Sequence, residues 1–401
     1  MGKEQDFQSR YGLTILFVSC LSMWTTLMAI FPMVPNLTGI FSVTPEKIGQ
    51  VLGLSSLIMI LFNIPAGVFS DSNGRKPFIL AGLFIVAITS FFAVFAHNFI
   101  IFACAWLVGG IGRGLFLAPA FAIIGDVFQP NNRGKAMSVL ASSLGIGSVV
   151  GYLLGGVVGG IFGWKVLFFL LGVLNLVAFT LSLFLMETCN MTNPRILGNF
   201  LISSFSWFKK PTISLLAFIT TIGFTSAVAV TFLIPFAAKN AHISLVWLST
   251  FFIPYEVIGI LGTLVMGRIS DKIGRRLPLT ISIASGIIGV FLLILFGTSF
   301  SNIMTSYAIV GLCEGTLIGL STTMVIDIVV KKDPSQIGGA MSSFRSVYTM
   351  GAVLGPWLAG LLISHISLTW SFTIILVALI LILFASFFTT ETLQESADNR
   401  R

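Results

Sequence analysis

The chain has 401 residues, of which 56% are hydrophobic and only 9% charged, and its formal net charge is +8. A soluble globular domain carries about 25% charged residues. A chain of this composition cannot keep a polar shell over a core, so lipid is the solvent for most of its surface. The basic excess is not gathered into an arm or patch, which argues against nucleic acid as a partner.

A helix needs about 20 apolar residues to cross a bilayer. Runs of that kind occur at 11–33, 47–70, 77–96, 99–124, 135–160, 164–186, 212–238, 244–267, 277–297, 302–329, 337–363 and 368–390, which predicts twelve spans. The polar start, MGKEQDFQSRYG, leads directly into the first run and carries no evident cleavable signal. The longest polar interruption, residues 187–211, falls between spans six and seven, and is read as a cytoplasmic central loop between bundles at 1–186 and 212–401. With the N-terminus inside, seventeen of the 22 basic residues lie in cytoplasmic loops and tails, among them Arg75, Lys76, Arg133, Lys135, Arg195, Lys209 and Lys210. The positive-inside rule therefore predicts a multi-pass protein of the plasma (inner) membrane with both termini cytoplasmic.

Residues 67–76 read GVFSDSNGRK and residues 267–276 read GRISDKIGRR, so one charged turn is written twice. In span four, VGGIGRG is followed by Asp126, thirteen residues past Arg113; in span ten, VGLCEG is followed by Asp327, thirteen past Glu314. GKAMS at 134–138 answers GGAMS at 338–342, and Trp164 answers Trp370. Correspondences in one order, with an offset drifting from 200 to 206, indicate a duplicated six-helix unit. Six spans per copy give both copies the same orientation, a parallel pseudo-symmetric pair of bundles.

With these motifs the chain resembles the major facilitator superfamily, through Gly67, Asp71, Gly74, Arg75 and Lys76 between spans two and three and the second copy at Gly267, Asp271, Gly274 and Arg275. Among its branches it looks closest to the twelve-helix drug:proton antiporters, on Arg113 and on the span-five run GSVVGYLLGG at 147–156, where Tyr152 stands in place of that family's proline. The resemblance implies the all-α major facilitator fold, with spans one, four, seven and ten lining a central cavity. It also implies a latch that opens and re-forms during transport, built of Asp71, Arg75 and Asp126, with Asp327 beside the second copy. In the superfamily that second copy is the weaker one.

The residues suit these roles physically. Gly74 permits the positive φ of a tight inter-helix turn, and Asp71 is an acceptor suited to a helix N-terminus. Gly147, Gly151 and Gly155 with Gly156 draw a small-residue stripe along span five, and Gly355 with Pro356 answers it in span eleven. Such stripes let backbones approach closely in lipid; the reading is interface packing, with a smooth sliding face as the functional alternative. Charge near the bilayer centre is costly and marks function. Four such residues qualify: Arg113, Glu256, Glu314 and Arg345. The duplication sets Arg113 and Glu314 at matching positions, which the family fold would place on opposite cavity walls as a proton-coupling switch. Glu256 is the competing proton carrier, and Arg345 could serve only to neutralise an acid. Trp24, Met28, Thr221 and Thr225 are candidate substrate-cavity residues.

Three of the four cysteines (Cys20, Cys104 and Cys313, with Cys189 apart) lie in apolar runs and read as buried free thiols. His97, His242 and His365 fall in outer loops and read as neither metal ligands nor proton relays. No span carries a nucleophile–base set or a metal motif, so no catalytic residue, metal or cofactor is expected. The proton gradient would supply energy, and the partners would be the bilayer, protons and a small molecule, with a monomer as the superfamily default. The function expected is secondary active transport of a small, amphipathic organic molecule by alternating access, as proton-coupled efflux. A sugar, metabolite, siderophore or lipid transporter, a uniporter and a membrane sensor stand as alternatives.

Overall fold

The computed structural model describes residues 2–188, 205–297, 299–333 and 337–393. It contains twelve helices long and apolar enough to cross a membrane. They are α1 (Tyr11–Phe41), α2 (Pro45–Asn73), α3 (Lys76–Val94), α4 (Phe99–Val127), α5 (Asn132–Ile161), α6 (Trp164–Ser182), α7 (Pro211–Asn240), α8 (Leu245–Ile273), α9 (Arg276–Leu295), α10 (Phe300–Lys332), α11 (Ile337–His365) and α12 (Leu368–Ser386). The first helix runs well past its predicted end because Pro35 is carried inside it; in a membrane, neighbouring helices re-satisfy a backbone that proline interrupts. Cys189, Arg195 and most of the predicted central loop lie outside the described residues.

The chain forms two compact units, Met1–Val43 with Leu54–Leu197, and Thr44–Gly53 with Gly198–Arg401. Residues 44–53 count with the second unit because the start of α2 lies against α11; a Cβ on Gly360 would stand 2.7 Å from the Pro45 carbonyl oxygen.

Inside each unit, helices meet backbone to backbone at glycines. In the first, a Cβ on Gly110 would come within 2.7 Å of the Ser55 oxygen, and one on Gly114 within 2.6 Å of the Met59 oxygen. These two residues seat α4 on α2. The second unit repeats the arrangement, with Gly315 at 2.5 Å from the Gly259 oxygen seating α10 on α8. The span-five stripe finds its partner in α1. Added Cβ atoms would meet the Leu21 oxygen at 2.9 Å from Gly147 and the Thr25 oxygen at 2.5 Å from Gly151, and Gly155 continues the seam at Ala29. Gly156 is buried beside them. In the second unit, Gly355 would meet the Thr225 oxygen at 3.0 Å on α7, and Pro356 is buried. The stripe is thus a packing seam within a unit.

Tyr152, at the family's proline position, is buried; its hydroxyl lies 3.3 Å from Met28 Sδ and its ring meets Phe31 edge-on. A larger residue keeps the α1–α5 seam filled where proline would only bend it. Cys20 and Cys313 are buried, but Cys104 is exposed, which corrects the reading of all three as buried. An apolar run in a membrane helix has an outer face that meets lipid, and residue 104 lies on it.

Replacing Gly151 by Leu forces a side chain into the Thr25 backbone and is expected to cost about 1–3 kcal/mol, read as a lower melting temperature in detergent. Gly134, with nothing within 4 Å of an added Cβ, is the control; Gly134→Ala is expected to be neutral or slightly stabilising.

Candidate functional site

The repeated turn is the most highly organised polar structure of each unit. Gly74 stands at φ +90 between α2 and α3, a conformation that any Cβ would strain. Its bare Cα also makes room for an acid, since a Cβ there would lie 2.5 Å from Glu187 Oε1. The next residue, Arg75, is buried at 7% exposure. Its guanidinium donates to Asp126 Oδ2 at 3.2 Å, to Ser70 Oγ at 2.7 Å and to the Gly67 oxygen at 3.3 Å, and pairs with Asp71 one turn earlier. The structure therefore brings Gly67, Asp71, Gly74, Arg75 and Asp126 together.

Two further residues complete the cluster. Glu187, just past α6, accepts the backbone N–H of Arg75 at 2.7 Å and of Lys76 at 3.3 Å through Oε1. The first N–H groups of a helix have no internal partner, and a carboxylate there also offsets the helix dipole. Thr188 donates its hydroxyl to Asp126 Oδ2 at 3.3 Å. The end of α6 is thereby tied to the start of α3 and the end of α4.

The second unit repeats this set. Arg275, at 8% exposure, donates to Asp327 Oδ2 at 3.3 Å, to Asp271 Oδ1 at 2.5 Å and to Ser270 Oγ at 2.7 Å. Gly274 has φ +97, and Glu391 accepts N–H from Arg275 at 2.8 Å and Arg276 at 3.0 Å. Thr392 donates to Asp327 at 3.1 Å. The second cluster repeats both aspartates, the serine, the glutamate and the threonine of the first, although the resemblance to the superfamily implied a weaker copy. Neither Glu187–Thr188 nor Glu391–Thr392 was singled out by the sequence reading. The signal was present: the dipeptide Glu-Thr recurs at an offset of 204, within the drift of the other repeats.

Burial pushes the Glu391 carboxyl up, but the N–H groups of Arg275, Leu393, Arg276 and Thr392 outweigh it and hold the group below the usual carboxylate range.

The intramembrane charges sit apart from these clusters. Arg113 belongs to the first unit and is buried at 4% exposure. Its guanidinium lies 4.7 Å from the centre of the Trp106 ring, and Nη2 donates to Ser55 Oγ at 2.5 Å and to the Trp106 oxygen at 3.2 Å. It faces a narrow pocket with Thr26, Thr89, Ser90 and Phe168, and no carboxylate of that unit pairs with it among the described residues. Glu314 belongs to the second unit, and its Oε2 is buried with no hydrogen-bond partner, as are the hydroxyls of Thr316 and Ser321. Tyr348 is within electrostatic range of both Glu314 and Arg345, and its ring packs edge-on against Phe224 and Phe344. Arg345 itself is exposed. Glu256 is half-buried on α8, within electrostatic range of Tyr307.

Among the cavity candidates, Thr221 and Thr225 each donate at 2.7 Å to a carbonyl one turn back in α7. Trp24 and Met28 lie at the α1–α5 seam. His365 Nε2 sits 3.2 Å from Glu46 Oε2, a pairing that a reading of isolated loop residues does not reach. No group of three or more metal-ligating side chains occurs among the described residues.

The fold agrees with the similarity of the sequence to known proteins. The family model described as Major Facilitator Superfamily matches residues 13–334 and 297–401. The chain belongs to the major facilitator superfamily. An uncharacterized MFS-type transporter of Methanocaldococcus jannaschii is 24% identical over 359 residues, which cover 85% of this chain and 89% of that protein. The multidrug resistance protein MdtL of Shewanella sp. is 27% identical over 177 residues, 44% of this chain and 43% of that protein. Among solved structures, a bacterial homolog to the human lysosomal transporter Spinster, in an inward-facing and occupied conformation, covers 95% of this chain and 96% of its own with a TM-score of 0.80 at 19% identity. The nucleoside transporter NupG covers 94% and 98% with a TM-score of 0.79 at 15% identity. As a superfamily member with twelve apolar helices, the protein is an integral, multi-pass membrane transporter.

The two latches generate two predictions. Glu187→Gln keeps the shape but removes the charge that gathers the Arg75 and Lys76 N–H groups; local opening of the start of α3 is expected to rise roughly fivefold to tenfold, about 1 kcal/mol for a largely exposed acid, read by amide hydrogen exchange. Glu391 is held below its ordinary pKa, so its contribution is present above the unfolded value and is lost as pH falls through the lowered one. Exchange at Arg275 and Arg276 is therefore expected to accelerate on acidification below the usual carboxylate range, and a pH-independent ratio to a Glu391→Gln variant would refute this.

Proposed function

We propose that the protein exports a small amphipathic organic molecule by alternating access, driven by protons, with Glu314 as the coupling carboxyl. The observation that carries this reading is the buried Glu314 oxygen with no hydrogen-bond partner. An unpaired carboxylate in an apolar span costs several kcal/mol, and it is relieved by taking up a proton or by an arriving opposite charge. A group with those two ways out can exchange a proton for a substrate as the cycle turns. Tyr348, within electrostatic range of Glu314 and packed against Phe224 and Phe344, supplies an aromatic neighbour suited to an organic molecule with an apolar body. The drug-resistance relatives support export as the direction, although their matched region is less than half of the chain. The distribution of Lys and Arg supports an inner-membrane orientation with both termini cytoplasmic. In the same reading the two Arg–Asp clusters serve as latches between states of the cycle.

In proteoliposomes with an imposed pH gradient and a panel of amphipathic dyes, Glu314→Gln is expected to lose gradient-driven accumulation and to keep substrate exchange at zero gradient. Glu256→Gln is expected to keep both. Loss of accumulation in Glu256→Gln with full retention in Glu314→Gln would move the coupling role to α8.

A further inference from the structure

The turn that leads into α7 holds a group of cations that neither latch uses. A 3₁₀ turn at Ser206–Lys209 folds Trp207 inward to 6% exposure. Two ammonium groups converge on that one indole: Lys210 Nζ lies 5.0 Å from the ring centre and Lys332 Nζ, from the last turn of α10, lies 5.9 Å from it. Like charges brought to one ring repel each other. Burial first, and the Lys332 charge second, hold the Lys210 ammonium below its ordinary pKa. Acids do occur at this end of the unit, but Asp271, Asp327 and Glu391 are committed to Arg275 and the backbone beside it, and Asp333, next to Lys332 in the chain, has an interaction of its own. Lys331 is likewise committed, donating to the Thr392 oxygen at 2.9 Å. Neither Lys210 nor Lys332 forms an ion pair among the described residues.

Beside the lysines, the rings of Phe205 and Phe208 stack at 5.8 Å, and Phe205 is exposed. Two ammonium groups with no ion pair among the described residues, next to an exposed Phe205 stacked on a half-buried Phe208, match an amphiphile whose head is anionic. Basic residues at a helix end attract anionic headgroups, and aromatic side chains anchor at the depth where head and chain meet. We propose that Lys210 and Lys332, set on Trp207, bind a phosphate group, and that its source is an anionic phospholipid whose acyl region lies along Phe205 and Phe208. The site places one lipid at the entry to α7 and the exit of α10, the helix that carries Glu314.

The experiment is native mass spectrometry of the full chain in detergent, titrated separately with phosphatidylglycerol, phosphatidylcholine and inorganic phosphate. Each ammonium near an anionic headgroup contributes about fivefold, so Lys210→Ala with Lys332→Ala is expected to weaken phosphatidylglycerol retention about thirtyfold. Lys210→Arg with Lys332→Arg keeps both charges and is expected to restore it. Lys209→Ala, one residue outside the pair, is expected to retain lipid as the parent does, which also controls for folding. Equal phosphatidylglycerol retention by the double alanine variant and the parent would overturn the proposal, as would phosphatidylcholine binding as tight as phosphatidylglycerol. Inorganic phosphate binding as tightly as phosphatidylglycerol, lost in the double alanine variant, would support the phosphate site and overturn the lipid as its source.

Discussion

In lipid there is no hydrophobic force to draw one apolar helix to another, because the alternative neighbour is as apolar as the helix itself. Cohesion has to come from contact, and here it comes from bare backbone. At Gly110 and Gly114 in the first unit, and at Gly259 and Gly315 in the second, one helix rests on the carbonyl oxygens of the next, too close for a Cβ to intervene. The seam of Gly147, Gly151 and Gly155 on α1 follows the same rule. Two of the intramembrane charges stand directly beside these approaches. Gly114 follows Arg113 and Gly315 follows Glu314, so the glycine that sets the crossing also sets the height and direction of the charge.

The charged residues divide by how they are satisfied. Arg75 and Arg275 are each surrounded by two aspartates, a serine and a helix start held by a glutamate. A guanidinium presents its donors in a fixed fork, so it can bind two helices at once, α2 and α4 in one unit and α8 and α10 in the other, while the backbone N–H of the same residue brings in the glutamate that follows α6 or α12. Arg113 is satisfied differently, by an indole face, a serine hydroxyl and a carbonyl, and no carboxylate of its unit pairs with it among the described residues. Glu314 has an oxygen with no partner at all. Arg113 and Glu314 stand equally deep, each fourteen residues past the start of its helix, so depth alone does not decide how a charge is satisfied; the neighbours that each helix meets do.

The order of the spans, the duplication and the members of both Arg–Asp clusters up to Asp126 and Asp327 were legible because each rests on a local pattern: apolar run length, turn chemistry, a repeated spacing. Glu187 and Glu391 were harder to see. Each acts on backbone N–H groups more than a hundred residues away in the chain, and its own neighbours look like the ragged end of a helix. The likeness of the two clusters was obscured for a related reason: the motif is written in the residues of the turn, whereas the glutamate that caps it follows another helix. Cys104 shows the opposite limit, since hydrophobicity in a membrane helix does not distinguish a core face from a lipid face.

By itself the sequence determined that this is a twelve-span membrane protein of duplicated halves, because charge content, run length and repeat spacing are properties of the chain read in one dimension. Only the tertiary structure decided which groups meet. It gave the glycine stripe to α1, a glutamate to each Arg–Asp cluster, Ser55 and Trp106 to Arg113, and no partner among the described residues to Glu314 Oε2. The physical reason is that a helix fixes the angular position of its side chains but not the helix they will face. That choice is made by which glycines let two backbones close to contact.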